Sequence, residues 1–243
     1  MKAKYLYEWR LKRRLKKKLA KKQRRWNVKV FAEKKLLNPC AICGAREAVT
    51  RDHLPPKAIF PKPRPNNLIT VPACGKCNNG SSEYDDLFKV YLSMQAAEKS
   101  ELGTKLFAEK TTRTLQRNQS LLNTIREQST ELISTDENGN IVTQTGVLWN
   151  SKAHDAVVER ITRGLYFHHT GKCVPKGSKV KVYWFHEVPE GIDPNNPAFT
   201  NNTIGEEQFN YKFIIDPKNS NYAIWLFEFY GVHWAGGFIE PGP

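Results

Sequence analysis

Two Cys-x-x-Cys pairs, Cys40/Cys43 and Cys74/Cys77, stand thirty residues apart in this chain. Each sits in a tight turn: Gly44 follows the first pair and Gly75 lies inside the second. A turn of this spacing aims two thiolates at one ion, and two such turns complete a tetrahedral Cys₄ site suited to zinc. Between the pairs lies Asp52-His53, followed by Leu-Pro-Pro, and Asn78-Asn79 come directly after the last cysteine. A staple that only held a fold together would need neither the histidine nor the metal-capable side chains inside its loop. The plainer alternative is a structural zinc ribbon in a binding module, with Asp52-His53 as a surface turn before Pro55-Pro56.

The order Asp-His-x-x-Pro, an Asn before an apolar run, then Cys-x-x-Cys-Asn resembles the HNH (His-Asn-His) endonuclease motif in its zinc-stapled ββα-metal form. The resemblance spans residues 38 to 92. It implies that His53 is the first His and the catalytic base, and that Asp52 is the acidic metal ligand beside it. Asn78 then takes the third position and binds the same ion. Asn67, with Asn66 as its neighbouring alternative, is the middle Asn that steadies the catalytic His. Two features differ from the family pattern. A stiff Pro-rich run, Phe60 to Pro65, replaces the Gly-Gly after the first His, and Asn79-Gly80-Ser81-Ser82 follows the CN where a basic residue is common.

The chemistry this implies is phosphodiester hydrolysis. Histidine, with an ordinary pKa of ~6.5, is largely neutral at physiological pH and can take a proton from water. The oxygens of Asp52 and Asn78 suit Mg²⁺ or Mn²⁺ far better than zinc. A divalent ion there would stabilise phosphoryl charge and the leaving oxygen, while zinc in the four cysteines would be structural. Two metals therefore have two jobs.

The elements that must position these groups follow from local pattern. Ala48 to Thr50 and Leu68 to Val71 are expected to pair as short strands, joined by a loop that Pro61, Pro63 and Pro65 keep extended. Ser82 with Asp85 reads as a capping pair. Tyr84, Leu87, Phe88, Tyr91 and Leu92 then follow helical spacing, which places Asn78 near the start of a helix facing the hairpin. Gly103 is expected to break that pattern, and residues 104 to 129 carry helical spacing again. Asp136 to Asn140 reads as a hairpin turn or a domain boundary. Asn150 or Ser151 caps a helix bearing Ala153, Val157, Ile161 and Leu165 and ending before Gly171. Strands are predicted at 179–186, 209–215, 222–229 and 234–239, with a surface loop at 189–197. His154, His168, His169, His186 and His233 lack the acidic company of a second metal site, and Cys173 reads as a small buried apolar residue.

The chain has 243 residues, a formal charge of +14 and a pI near 9.6. Apolar residues make up 40% of it, enough for a buried core. Residues 1 to 25 hold thirteen Lys and Arg against Glu8 alone, so +12 of the +14 belongs to that one segment. Tyr7, Leu11, Leu15 and Leu19 recur there at helical steps, and Trp26 to Leu37 continues as a short helix. A solvated tail and a helix on an acidic membrane both fit this pattern. Beside the motif, an arm lying along nucleic-acid phosphates fits it better. No stretch approaches the ~20 apolar residues of a membrane span, and no apolar run makes the basic N-terminus a secretory signal. Cysteines used for zinc point to a reducing, cytoplasmic setting.

The expected architecture is α+β. A basic helical arm (1–37) precedes a zinc-stapled HNH module (38–100), a helical connector (101–140) and a C-terminal antiparallel α+β domain (141–243). That last domain has room for a second copy or a partner protein. The expected function is a metal-dependent endonuclease acting on nucleic acid, DNA first. The alternatives are a non-catalytic zinc-ribbon nucleic-acid-binding protein and an HNH-type RNase or toxin.

Overall fold

The computed structural model describes residues 38–136, 138–185, 188–206 and 208–242, together with Lys17. The basic helical stripe of residues 1–25, the helix expected at 26–37, and His186 lie outside the described residues. Met1–Leu37 is one unit and Asn38–Pro243 the other.

The second unit begins with the hairpin. Strand β1 (Thr50–Leu54) pairs antiparallel with β2 (Ile69–Ala73), His53 opposite Thr70 and Asp52 opposite Val71. The strand thus starts at the residue where the pattern expects it to end, and it takes Asp52-His53 into itself. The reason is local: Glu47 bridges to Pro39, and the Ala48 N–H goes to the Asn38 carbonyl at 2.9 Å. The residues before Thr50 therefore belong to the first Cys turn. In the intervening loop, Ile59 and Phe60 are fully buried, and the Tyr230 hydroxyl donates to the Ile59 carbonyl.

Two helices follow the hairpin: α1 (Gly75–Asn79), which carries Cys77 and Asn78, and α2 (Ser82–Ala97). Phe88 and Leu92 are fully buried and Leu87 and Tyr91 nearly so, whereas Tyr84 is exposed. The Ser82–Asp85 capping pair does not form. Ser81 precedes the helix without a side-chain cap, and Asp85 turns instead to Arg160. Gly103 does not break the pattern either, because it lies inside α3 (Glu101–Leu106), which Ser100 caps. A Cβ at Gly103 would fall 2.3 Å from the Ala96 carbonyl oxygen, so glycine is what lets α3 fold back closely on α2. One π-type turn (Phe107–Thr111) leads to α4 (Thr112–Arg117) and α5 (Gln119–Glu127).

Strands β3 (Ser129–Thr135) and β4 (Ile141–Val147) form a separate hairpin. Its turn is closed by the Asp136 carboxylate, which accepts from the Asn138 and Asn140 amides at 2.9 and 2.8 Å. The long helix α6 (Ser151–Thr170) starts at Asn150, whose side chain accepts from the Ala153 N–H at 3.2 Å, and stops at Gly171 with φ 66°. A polar cap at one end and a left-handed glycine at the other explain why its limits are readable in the sequence.

Five strands complete the chain: β5 (Lys179–Phe185), β6 (Thr200–Ile204), β7 (Phe209–Ile215), β8 (Ala223–Phe229) and β9 (His233–Glu240). They form one antiparallel sheet in the order β5-β9-β8-β7-β6. Strand β6, of sequence TNNTI, has no apolar alternation and is absent from the strands expected above. Helix α6 packs against β5 and β9 of this sheet, against α2, and against β1 and β2 of the first hairpin. One core consequently joins Leu54 and Val71 of the hairpin, Phe88 of α2, Ile161 of α6 and Trp225 and Phe227 of the sheet. The boundaries expected near 100 and 140 separate elements rather than compact units.

Candidate functional site

Each Cys turn is built from backbone hydrogen bonds. In the first, the Gly44 N–H returns to the Cys40 carbonyl at 2.8 Å, with Gly44 at φ 60°. In the second, the Asn78 N–H returns to the Cys74 carbonyl at 3.0 Å as α1 begins. The two turns bring the Sγ atoms of Cys40, Cys43, Cys74 and Cys77 all within 4.8 Å of one another. Zinc–sulfur bonds of ~2.3 Å in a tetrahedron require sulfurs a little under ~4 Å apart, so this donor set fits one zinc ion. Four thiolates around a divalent ion leave two negative charges. The Arg46 guanidinium lies over them, its Nη1 3.9 Å from Cys43 Sγ and 4.0 Å from Cys74 Sγ. Cys173 is not a fifth ligand and not the buried apolar residue expected. It is partly exposed, and its thiol donates to the Cys40 carbonyl at 3.6 Å.

Strand β1 runs beside this centre. Side chains alternate along a strand, so Asp52 and Leu54 turn inward while Arg51 and His53 turn outward. Arg51 reaches across to β2, donating from Nη2 to the Thr70 carbonyl at 2.9 Å and to Thr70 Oγ1 at 2.8 Å. The His53 ring is half-buried, and among the described residues no side chain or carbonyl holds either of its nitrogens. Burial holds its pKa below the ordinary value, with Lys57 and Arg64 adding to the effect and Asp52 opposing it. The imidazole is therefore neutral at pH 7 and free to accept a proton.

The backbone of β1 explains how Asn78 and Asp52 meet it. Pro72, opposite Arg51, has no N–H to give, and its carbonyl accepts from the Ala41 N–H at 2.9 Å. The Arg51 carbonyl likewise turns away from β2, toward Asn78. Asn78 Nδ2 donates to that carbonyl at 3.3 Å and to Thr50 Oγ1 at 3.0 Å. Two positions on, and so on the same edge of the strand, the His53 N–H donates to Asp52 Oδ1 at 2.8 Å. Asp52, Asn78 and the His53 peptide thus share the free edge of β1.

Asp52 is 6% exposed, and burial raises its pKa, against the Arg160 charge and the His53 N–H that hold it down. Its Oδ2 lies 3.4 Å from Arg160 Nε, an ion pair without hydrogen-bond geometry. Arg160 Nη2 donates to Asp85, whose pKa burial pushes up to about 6 even so. Two carboxylates thus face one guanidinium, and burial raises the pKa of both.

Asn67 stands elsewhere. Its Nδ2 donates to the Thr203 carbonyl at 2.9 Å and its Oδ1 accepts from the Gly205 N–H at 3.2 Å, so its amide ties the hairpin to β6 rather than to His53. Asn66 is exposed. His154, His169 and His233 serve packing: His154 lies among Phe88, Trp149 and His233, and His169 lies 3.0 Å from the Tyr211 hydroxyl and against Phe213.

No protein-family model, curated protein or solved structure matches this chain. The functional reading therefore rests on the side chains themselves. No helix among the described residues is long and apolar enough to cross a membrane.

Arg46 and Arg160 join the site without having stood out in the sequence, and so does Asp85, read there only as a helix cap. Arg160 does leave a signal there, for it falls on the apolar stripe of α6 three residues after Val157. A guanidinium in that place demands buried carboxylates.

Proposed function

We propose that this protein is a metal-dependent endonuclease of the HNH type, hydrolysing phosphodiester bonds in nucleic acid, with DNA as the first substrate to test. The observation that carries the reading is the imidazole of His53, which burial holds neutral and which no other side chain engages among the described residues. The ring sits on a strand beside the Cys₄ cluster whose free edge carries the His53 peptide, Asp52 and Asn78, and Lys57 and Arg64 lie close enough to lower its pKa.

In this reading His53 takes the proton from the attacking water. Arg51, Lys57 and Arg64 hold the polyanion by its phosphates, which gives affinity with little choice of sequence. Asp52 Oδ2 and Asn78 Oδ1 are the groups that would hold Mg²⁺ or Mn²⁺. The fit is supported by the chemistry of both oxygens. Oδ2 is buried and takes no hydrogen bond, and Asn78 commits its NH₂ to β1, leaving its oxygen an acceptor. Mg²⁺ is commonly held by one or two such groups, with water and phosphate completing its shell. When bound, the ion supplies Lewis-acid stabilisation of the phosphoryl charge and the leaving oxygen. The cysteines, closed around zinc, keep β1 and α1 together and take no part in the chemistry.

The ion pair of Asp52 with Arg160 favours a second reading, in which the Asp-His pair is structural and the protein binds nucleic acid without cutting it. The deciding experiment incubates purified protein with supercoiled plasmid, linear duplex, single strands and RNA, each with Mg²⁺, with Mn²⁺ and with EDTA. Cleavage of DNA that EDTA stops supports the endonuclease. Cleavage of RNA alone moves it to a ribonuclease of the same chemistry, and binding without cleavage in every arm supports the second reading.

A further inference from the structure

Arg160 is 4% exposed and lies in the middle of α6, between the fully buried Val157 and Ile161. An ionised guanidinium is stable in such a place only when charges pair with it, and removing a partner is costly. Its partners come from two other elements. Asp85, in the first turn of α2, accepts from Nη2, and Asp52 of β1 faces Nε at 3.4 Å. The remaining Asp52 oxygen accepts the His53 N–H at 2.8 Å. A continuous line of contacts therefore runs from α6, through the Asp52 carboxylate, to the peptide that carries His53.

We propose that Arg160 is a positioning residue of the site: from α6 it orients the Asp52 carboxylate, which in turn braces the backbone of His53 at the free edge of β1. The role in cleavage rests on the endonuclease reading above; the bracing itself does not. The geometry distinguishes the two carboxylates. Asp85 takes the hydrogen bond and anchors the guanidinium, so that the charge facing Asp52 is held from behind. Asp52 is held by charge alone, which leaves Oδ2 without a hydrogen bond. Asp85 is the anchor and Asp52 the cargo. It follows that α6 is part of the site, although it lies about a hundred residues further along the chain than His53.

Arg160→Met alone leaves two buried carboxylates facing each other, which threatens folding by itself. The informative variant is therefore Arg160→Met with Asp85→Asn, which removes one charge of each sign and keeps the balance of the cluster. Zinc content and circular dichroism establish that it is folded. Amide hydrogen exchange at His53, followed by NMR, is expected to speed up at least about tenfold in this variant while the amide of Val71 on β2 stays protected. Arg160→Lys, which keeps the charge, is expected to recover part of the protection. In cleavage, kcat/KM is expected to fall about ten- to a hundredfold, the usual cost of losing a group that orients a ligand. In an Asp52→Asn background the same change should cost less than about threefold, because a residue acting through Asp52 has nothing left to act on. Unchanged exchange at His53 overturns the proposal, and so does an equal loss of cleavage with and without Asp52. If the parent protein cuts no polymer, the endonuclease reading fails by itself, and the exchange measurement still decides whether Arg160 braces His53.

Discussion

At the scale of single residues, the proposed endonuclease function turns on a histidine kept neutral by its surroundings. Burial is the first cause, and Lys57 and Arg64 add to it. A base works only when unprotonated, so kcat/KM should rise as pH climbs through a pKa below the ordinary ~6.5 and then level off. Lys57→Gln removes one cation that disfavours the imidazolium. The acidic limb should then move to higher pH, toward the ordinary histidine value, while the plateau falls with the phosphate contact that Lys57 supplies. A limb that stays in place would show that burial alone sets the pKa. The residues of this site are unevenly legible. Cys40, Cys43, Cys74, Cys77, Asp52, His53 and Asn78 announce themselves by type and spacing, because metal chemistry restricts both. Asn67 looks equivalent to Asn78 in the sequence, yet its amide closes on Thr203 and Gly205, the former 136 residues away and beyond any local pattern. Arg160 and Asp85 are invisible as partners for the same reason.

At the scale of elements, what matters is how closely α6 approaches β1. Gly164 makes that approach possible: a Cβ there would fall 2.0 Å from Leu54 Cδ1 and 3.3 Å from Ile42 Cδ1. Leu54 follows His53 directly and is fully buried, so it has no free space to turn into. Gly164→Ala should therefore lower stability by about 1–3 kcal/mol through overpacking, although alanine alone favours a helix by ~1 kcal/mol. A urea midpoint lowered at unchanged slope would establish this; a raised midpoint would mean that α6 and β1 pack more loosely than described. Elements with a periodic stripe, α2 and α6, are legible as helices, but only α6 has the end signals that fix its limits, whereas α2 ends at Ala97, well before the Gly103 expected to break it. The strands of the main sheet are legible because their apolar residues alternate. β6 is not, since five polar-rich residues reach strand conformation by pairing with β7, and the start of β1 is displaced by bonds to the Cys turn.

At the scale of the whole molecule, the proposed reading gives the four-cysteine cluster and the charged segment separable roles. Cys77→Ser removes one of four thiolates from a closed site, and such sites couple metal binding to folding. The parent should contain about one zinc per chain, and the variant should lose both the metal and its solubility. A soluble Cys77→Ser protein with full zinc would mean that other ligands hold the ion. Residues 1 to 25 carry +12 of the net +14. Deleting them should weaken binding to nucleic acid and flatten the dependence of log K on log salt, by a slope of roughly 0.9 for each duplex phosphate that the segment neutralises. An unchanged slope would assign the segment to another partner. Composition makes the two-part charge distribution plain. It does not reveal that one core joins the first hairpin, α2, α6 and the main sheet, because that depends on α6 being buried on several sides at once.

The most direct test of the endonuclease reading is a single-turnover cleavage assay comparing the parent with His53→Ala at equal zinc content and equal occupancy of the nucleic acid. Loss of a positioned general base is expected to slow cleavage by about 10²- to 10⁴-fold, with binding and zinc content unaltered, since the His53 ring is not one of the four cysteine ligands and makes no hydrogen bond among the described residues. A His53→Ala protein that cuts at the parent rate under those conditions would contradict the assignment of His53 as the base.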